Sequence, residues 1–397
     1  MPASTRAQSL SSNWLVSTRV RNAILATITI GVGFAVPAVV GEIVLRFLPV
    51  SGGAYTTAVN AEQPILHFEP NRRFTAAVGP RLEYANRGTI NNAGWVSDQT
   101  YDSTATTPLL ALIGDSYIEA FIVPYRQSLQ ARLAEAARPS HRVYAFGMSG
   151  WPLSQYLAVA EFVARRYRPD AMVVNVVGND FDESLLRYKN ARGFHYFRDG
   201  ADSSLALERV DYAPKWHYSL VRHSALWRYA LGHLQLISRV RALRSPRARG
   251  ERDRDKDAFV GNVPRVVEPE RIAWSKRAVD EFLAELPMRS GLAPGRILFI
   301  VDGMRPQLYD PGDRARSDSS FFGQMRTYFI GHARAKGFEV VDMQPAFVAH
   351  YATHRQQFEL PHDGHWNAIA HGVVANAVTQ STVFTTFMDG AGQRTRP

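Results

Sequence analysis

Twenty consecutive residues near the N-terminus, 22–41 (NAILATITIGVGFAVPAVVG), carry no charge. At about 1.5 Å per residue a helix of this length reaches about 30 Å, the thickness of a bilayer's hydrocarbon core. Such a segment crosses a membrane, is removed as an export signal, or is buried whole in a core. Arg6, Arg19 and Arg21 precede it, and Glu42 and Arg46 follow it. The excess of positive charge before the run places the N-terminus in the cytoplasm and the remainder outside. Pro37 is expected to kink the helix, and Val36-Pro37-Ala38 resembles a small-residue cleavage site. Apolar character nevertheless continues through Ile43, Val44, Leu45, Phe47 and Leu48, which favours an uncleaved anchor over residues 22–48 behind a cytoplasmic segment 1–21. No other stretch is long and uncharged enough to span, so a single pass through the inner membrane with a large exported domain is expected.

The remaining chain reads as globular. Of 397 residues, 46% are hydrophobic and 21% charged, which excludes wholesale disorder and a multi-pass protein. There is no cysteine, hence no disulfide scaffold, thiol nucleophile or cysteine-ligated metal. The 46 basic residues exceed the 36 acidic ones by ten, and 41 of them are arginine. They are scattered, with acids interleaved even in the densest stretch, Arg247 to Asp257, so nucleic acid is not an expected partner. No internal repeat of solenoid or propeller length is evident.

Residues 49–104 are rich in Pro, Gly, Asn and Thr and are expected to form an irregular lead-in. Short apolar runs then end in small residues and alternate with helix-like segments: 109–113, 143–146, 171–177, 297–301 and 339–341. This alternation predicts a parallel sheet with helices on its faces over residues 105–385. An insertion, 183–292, separates the third and fourth runs. It includes an aromatic helical stretch (Trp216 to Leu236), expected to pack on the core or to cap the site, and the charged segment 247–257, expected to be a mobile loop. Residues 386–397 are expected to be a disordered tail.

Four pieces carry chemistry. Gly114-Asp115-Ser116 follows the first apolar run, where a serine at a strand's carboxyl end exposes its hydroxyl and its own N–H, although Asp-Ser is also a good helix N-cap. Gly147-Met148-Ser149-Gly150 follows the second, where glycines permit a tight turn and leave an N–H unobstructed, although a simple connecting turn explains the block equally. Gly178-Asn179-Asp180 ends the third, and its amide can donate to an oxyanion, although taken alone it reads first as an Asx-turn. Asp363-Gly364-His365 supplies an imidazole and a carboxylate that fixes its tautomer. No compact second cluster of histidines or carboxylates accompanies it, so neither a metal nor another cofactor is expected.

In this order and context the four pieces resemble the SGNH or GDSL-type serine hydrolases, which include bacterial members with an N-terminal membrane anchor. The resemblance covers about residues 105–380 and leaves the insertion unexplained. It implies a flavodoxin-like three-layer α/β sandwich with a central parallel sheet. It also implies Ser116 as nucleophile, His365 as base and Asp363 as its orienter, with the N–H groups of Ser116 and Gly150 and the Asn179 amide as oxyanion hole. The chain departs from the family pattern at Tyr117, where leucine is usual, and in the two-residue spacing of Asp363 to His365, where three is usual. The implied reaction is acyl transfer on ester substrates, with acylated carbohydrate of the cell envelope as the expected partner. Water as acceptor makes an esterase and a sugar hydroxyl an O-acyltransferase; a non-catalytic carbohydrate-binding or export-assembly protein is the reading from another class.

Overall fold

The computed structural model describes residues 6–137, 139, 141–200, 204–215, 218–237, 239, 259–260, 263–264, 267–305, 307–361 and 363–390. The five apolar runs form strands: β3 (Leu109–Gly114), β4 (Arg142–Gly147), β5 (Ala171–Val176), β10 (Ile297–Val301) and β11 (Glu339–Asp342). The first four are almost wholly buried, as expected of parallel strands covered on both faces. They join in the order β11-β10-β5-β3-β4, every pairing parallel. In order of appearance this is 2-1-3-4-5, the flavodoxin-like order, whose switch point lies between the first and third strands.

Alternation of side chains along each strand divides the core in two. Leu109, Ala111 and Ile113 face the layer built from helices α4 (Leu153–Tyr167), α7 (Pro269–Ser290) and α8 (Phe321–Ala335). Leu110 and Leu112 face α3 (Leu129–Ala136), α9 (Met343–His354), α10 (Ala368–Thr379) and α11 (Thr382–Asp389). The result is the expected three-layer α/β sandwich.

Several boundaries differ from expectation. Residues 49–104 include an antiparallel hairpin, β1 (Arg72–Val78) with β2 (Tyr84–Ile90). Phe74 and Ile90, buried on its inner face, supply the apolar contact that holds it to the domain. The span assigned to the insertion includes α7, whose Ala278, Val279, Phe282 and Leu286 are buried against the sheet layer. It is therefore the crossover helix between β5 and β10. The proposed tail begins inside α11, which Val383, Phe384 and Phe387 bury. Segment 247–257 and the residues beyond 390 lie outside the described residues.

The inserted residues also form β6 (His195–Asp199) paired with β7 (Leu205–Arg209), a short pair β8 (Phe259–Val260) and β9 (Val263–Pro264), and two short helices, α5 (Tyr218–His223) and α6 (Ala225–Arg228). The described part of the aromatic stretch neither packs in the core nor caps the serine. Its contacts run to the N-terminal part of the chain: Tyr229 donates to Pro80 O (2.8 Å), Ser51 N donates to His233 (3.2 Å) and Arg222 binds Glu69 (2.7 Å). The N-terminal helix α1 (Arg6–Phe47) runs unbroken through Pro37. Residues 20–47 make it long and apolar enough to cross a membrane, with Ile24, Phe34, Val40 and Phe47 exposed. Near its end, Glu42 accepts hydrogen bonds from Ser224 Oγ (2.8 Å), Leu226 N (2.9 Å) and Ala225 N (3.1 Å), so it caps α6.

Candidate active site

Strand β3 lies between β4 and β5, so the turns that follow these three strands sit side by side at the carboxyl edge of the sheet. These turns carry Ser116, Gly150 and Asn179. Ser116 opens the four-residue helix α2 (Ser116–Glu119), and buried Asp115 is its N-cap, accepting from Tyr117 N at 3.0 Å. The capping and nucleophile readings of Asp-Ser are thus compatible: the carboxylate closes the turn and leaves the serine at the helix start. Asp115 Oδ2 also lies 3.3 Å from Ser116 Oγ. Burial pushes the Asp115 carboxyl up to about 6, against the hydrogen bond from Tyr117 N.

The approach of β4 to this turn depends on Gly147, where a side chain would meet Glu119 N at 2.7 Å and Asp115 O at 2.9 Å. Gly150 has φ +81°, in the region that favours glycine. Among the described residues neither the Ser116 nor the Gly150 N–H is engaged in a hydrogen bond.

Across from Ser116, strand β13 (Asp363–Trp366), which pairs with β12 (Glu359–Leu360), brings in the C-terminal block. Ser116 Oγ lies 2.8 Å from His365 Nε2. The other ring nitrogen, Nδ1, makes a short hydrogen bond to Asp363 Oδ1, which also accepts from His365 N at 3.0 Å. The two-residue spacing therefore lets one carboxylate oxygen hold both the ring and the backbone of the histidine. Burial disfavours the imidazolium, but the Asp363 carboxylate, with Asp115 and Glu119 behind it, outweighs this and raises the His365 pKa above its ordinary value. Burial likewise acts to raise Asp363, and its bonds and charge interaction with His365 outweigh that and lower it.

Asn179 donates to Glu183 Oε2 at 3.0 Å. An amide nitrogen carries two hydrogens, so one remains for a substrate oxygen. Glu183 also pairs with Lys189, which donates to Gly150 O at 2.8 Å. The two expected oxyanion donors are thereby linked through a carboxylate and an ammonium. The expected Asx-turn is not among the bonds of the described residues: buried Asp180 accepts instead from Val177 N (2.9 Å), three residues before it, and from Tyr156 OH (3.0 Å), leaving Asn179 to its own contacts.

Three groups not singled out in the sequence complete the site. Glu119 is buried beneath it and accepts from Ser149 N at 3.0 Å and from the Ser149 hydroxyl; its second oxygen has no partner among the described residues. Burial pushes its carboxyl up to about 8. Arg305 donates to Asp302 (2.7 Å), to Tyr117 OH (3.0 Å) and to Gly364 O (3.0 Å), and Tyr117 OH donates to the same carbonyl (3.1 Å). Tyr117, the departure from leucine, thus helps fasten the histidine loop. A cavity of about 100 Å³ opens beside Ser116 and His365, walled by Phe121, Ile122, Val123 and Ser149.

No protein-family model matches the chain, and no curated protein matches it. Solved structures are similar at low identity. An alpha/beta hydrolase enzyme from the metagenome of Lake Arreo, Spain, is 16% identical over 73% of this chain and 99% of its own, with TM-score 0.38. A member of the lipolytic G-D-S-L family from Veillonella parvula is 9% identical over 69% and 97%, with TM-score 0.37. An acetyl xylan esterase is 10% identical over 69% and 99%, with TM-score 0.37.

Proposed function

We propose that the chain is a serine hydrolase of the SGNH type that cleaves or transfers short acyl groups carried as esters. The observation that carries this reading is the relay Ser116 Oγ to His365 Nε2 at 2.8 Å, with His365 Nδ1 on Asp363. In the proposed reaction His365 takes the Ser116 proton while Oγ attacks the ester carbonyl carbon. The oxyanion is received by the N–H groups of Ser116 and Gly150 and the free hydrogen of Asn179. Collapse expels the alcohol, which takes the proton from His365, and leaves an acyl-enzyme. An acceptor hydroxyl, activated by the same histidine, then releases the acyl group. The cavity beside Ser116 and His365 is small, about 100 Å³, which supports a short acyl group rather than a long chain.

Water as acceptor gives an esterase and a sugar hydroxyl gives an O-acyltransferase; the catalytic residues serve both. Envelope carbohydrate or glycolipid is the proposed substrate, on the strength of the anchor. In this reading α1 is an uncleaved span of the inner membrane and the sandwich lies on its outer side. Cleavage after Ala38 would leave Ile43, Val44 and Phe47 on a free helix, each more than half exposed. The test is hydrolysis of p-nitrophenyl acetate and longer esters by the wild type and Ser116→Ala, with and without a polysaccharide acceptor. Acetate esters are expected to turn over fastest, and only in the wild type. Acetyl gained by the acceptor selects transfer; equal turnover by Ser116→Ala rejects the reading.

A further inference from the structure

The hairpin β1–β2 turns its faces to different surroundings. Phe74 and Asn86 are buried on one face. By alternation, Arg73, Thr75, Arg87 and Thr89 share the other, with Arg73 opposite Thr89 and Thr75 opposite Arg87. That face walls a cavity of about 780 Å³, to which segment 124–127 adds Arg126 and α6 adds Arg228. The volume is that of a small-molecule site.

Four arginines thus line one cavity. Among the described residues none of the four forms an ion pair, whereas their neighbours Arg72 and Arg222 both bind Glu69. Asp98 is the one acidic residue among those lining it. Gly52 has no side chain where a Cβ would meet Arg228 Nη1 at 1.9 Å, so that guanidinium lies against bare backbone. Like charges gathered in this way repel unless an anion joins them, and the planar fork of arginine suits phosphate oxygens best.

The position narrows the source of that anion. Gly52 and Gly53 follow closely on the end of α1, and α6, which bears Arg228, is capped by Glu42 of α1. The cavity therefore lies at the foot of the anchor. It also adjoins the serine site: Phe121, Ile122 and Val123 wall the acyl cavity, and Pro124 to Gln127 wall this one. Asn86 of the hairpin joins the two by donating to Phe121 O (2.7 Å) and Val123 O (3.0 Å).

We infer that the arginine cavity binds an anionic phosphate group presented at the membrane surface, as on the headgroup of an acidic lipid, beside the serine that handles the ester. The membrane position rests on the anchored reading above; the anion chemistry does not. In the test, the full chain in phosphatidylcholine nanodiscs is titrated with pyrophosphate by calorimetry, and the titration is repeated in discs containing phosphatidylglycerol. Saturable binding is expected. Arg73→Gln/Arg87→Gln should weaken it about tenfold or more, and Arg73→Lys/Arg87→Lys, which keeps the charge without the fork, should weaken it less than the glutamine pair. Both arginines are exposed, so folding, checked by circular dichroism, is expected to be unchanged. Phosphatidylglycerol should weaken the apparent pyrophosphate affinity by competition. Pyrophosphate binding without that competition overturns the lipid source. No saturable pyrophosphate binding in neutral discs, or full affinity in the glutamine pair, overturns the site. The readout needs no ester cleavage, so its failure is distinct from a failure of Ser116 to react.

Discussion

The indole N–H of Trp366 donates to the buried carboxylate of Asp302 over 2.9 Å, joining the residue after His365 to the turn after β10. Asp302 also holds Arg305, and both side chains are 5% exposed. Arg305 in turn fastens Gly364 and Tyr117. The position of His365 is thus set from a strand remote from it in sequence.

Arg305→Met should therefore affect stability and turnover together. It leaves a buried carboxylate without its counter-charge, a change that costs about 3–5 kcal/mol. Urea unfolding is expected to shift by that order, and ester turnover to fall because the histidine loop loses two ties. An unchanged midpoint with unchanged turnover contradicts the clamp.

Asn179→Ala tests the oxyanion assignment. Loss of one such donor lowers turnover by about 10²- to 10³-fold and changes KM little. Glu183→Gln should give a smaller loss, since it removes the charge that holds Lys189 but keeps an acceptor for the amide and removes no donor. Steady-state kinetics on one ester measures both, and wild-type turnover in Asn179→Ala removes the amide from the mechanism.

The pH dependence follows from His365 and Asp363. The base must be neutral, so kcat/KM should rise with pH through an apparent pKa above the ordinary 6.5 of histidine. Asp363→Asn removes the charge that holds the proton, so the limb should move to lower pH as turnover falls. Stability runs the other way. The raised pKa of His365 contributes stability that is full below its unfolded value and is lost as pH rises through the folded one. The lowered pKa of Asp363 contributes stability above its unfolded value that is lost as pH falls through the folded one. A pH-rate profile and urea midpoints from pH 3 to 9 read both.

Glu119 should impose an alkaline limb. Its carboxyl, raised to about 8 by burial, is protonated at neutral pH and ionises beneath Ser149 as pH rises. Its stabilising share is full below about 4.5 and is lost as pH rises through about 8. Glu119→Gln keeps an acceptor for Ser149 and cannot ionise. It is expected to abolish the limb near pH 8 and to raise stability at pH 9. A limb unchanged in this variant assigns it to another group.

Much of the architecture was legible because parallel strands covered on both faces are continuous apolar runs. LLALI at 109–113 and AMVVNV at 171–176 admit few other readings. Ser116, Gly150 and Asn179 were findable because they sit where such runs end. Glu119, Asp302 and Arg305 were not, because what matters about each is a contact made only after folding: Arg305 meets Tyr117 across 188 residues of sequence. The hairpin was missed because its strands mix arginine, threonine and alanine, with only Phe74 and Ile90 as large buried apolar side chains. Helix α7 was assigned to the insertion because it is highly charged and its partners lie on α4 and α8, far along the chain.

The central claim is that Ser116 is an activated nucleophile. Intact mass of the full chain after exposure to a fluorophosphonate, beside Ser116→Ala and His365→Ala, tests it most directly. The account predicts one adduct in the wild type, none in Ser116→Ala, and labelling slowed by orders of magnitude in His365→Ala. A folded wild type that takes no adduct, or a Ser116→Ala variant that labels equally, contradicts it.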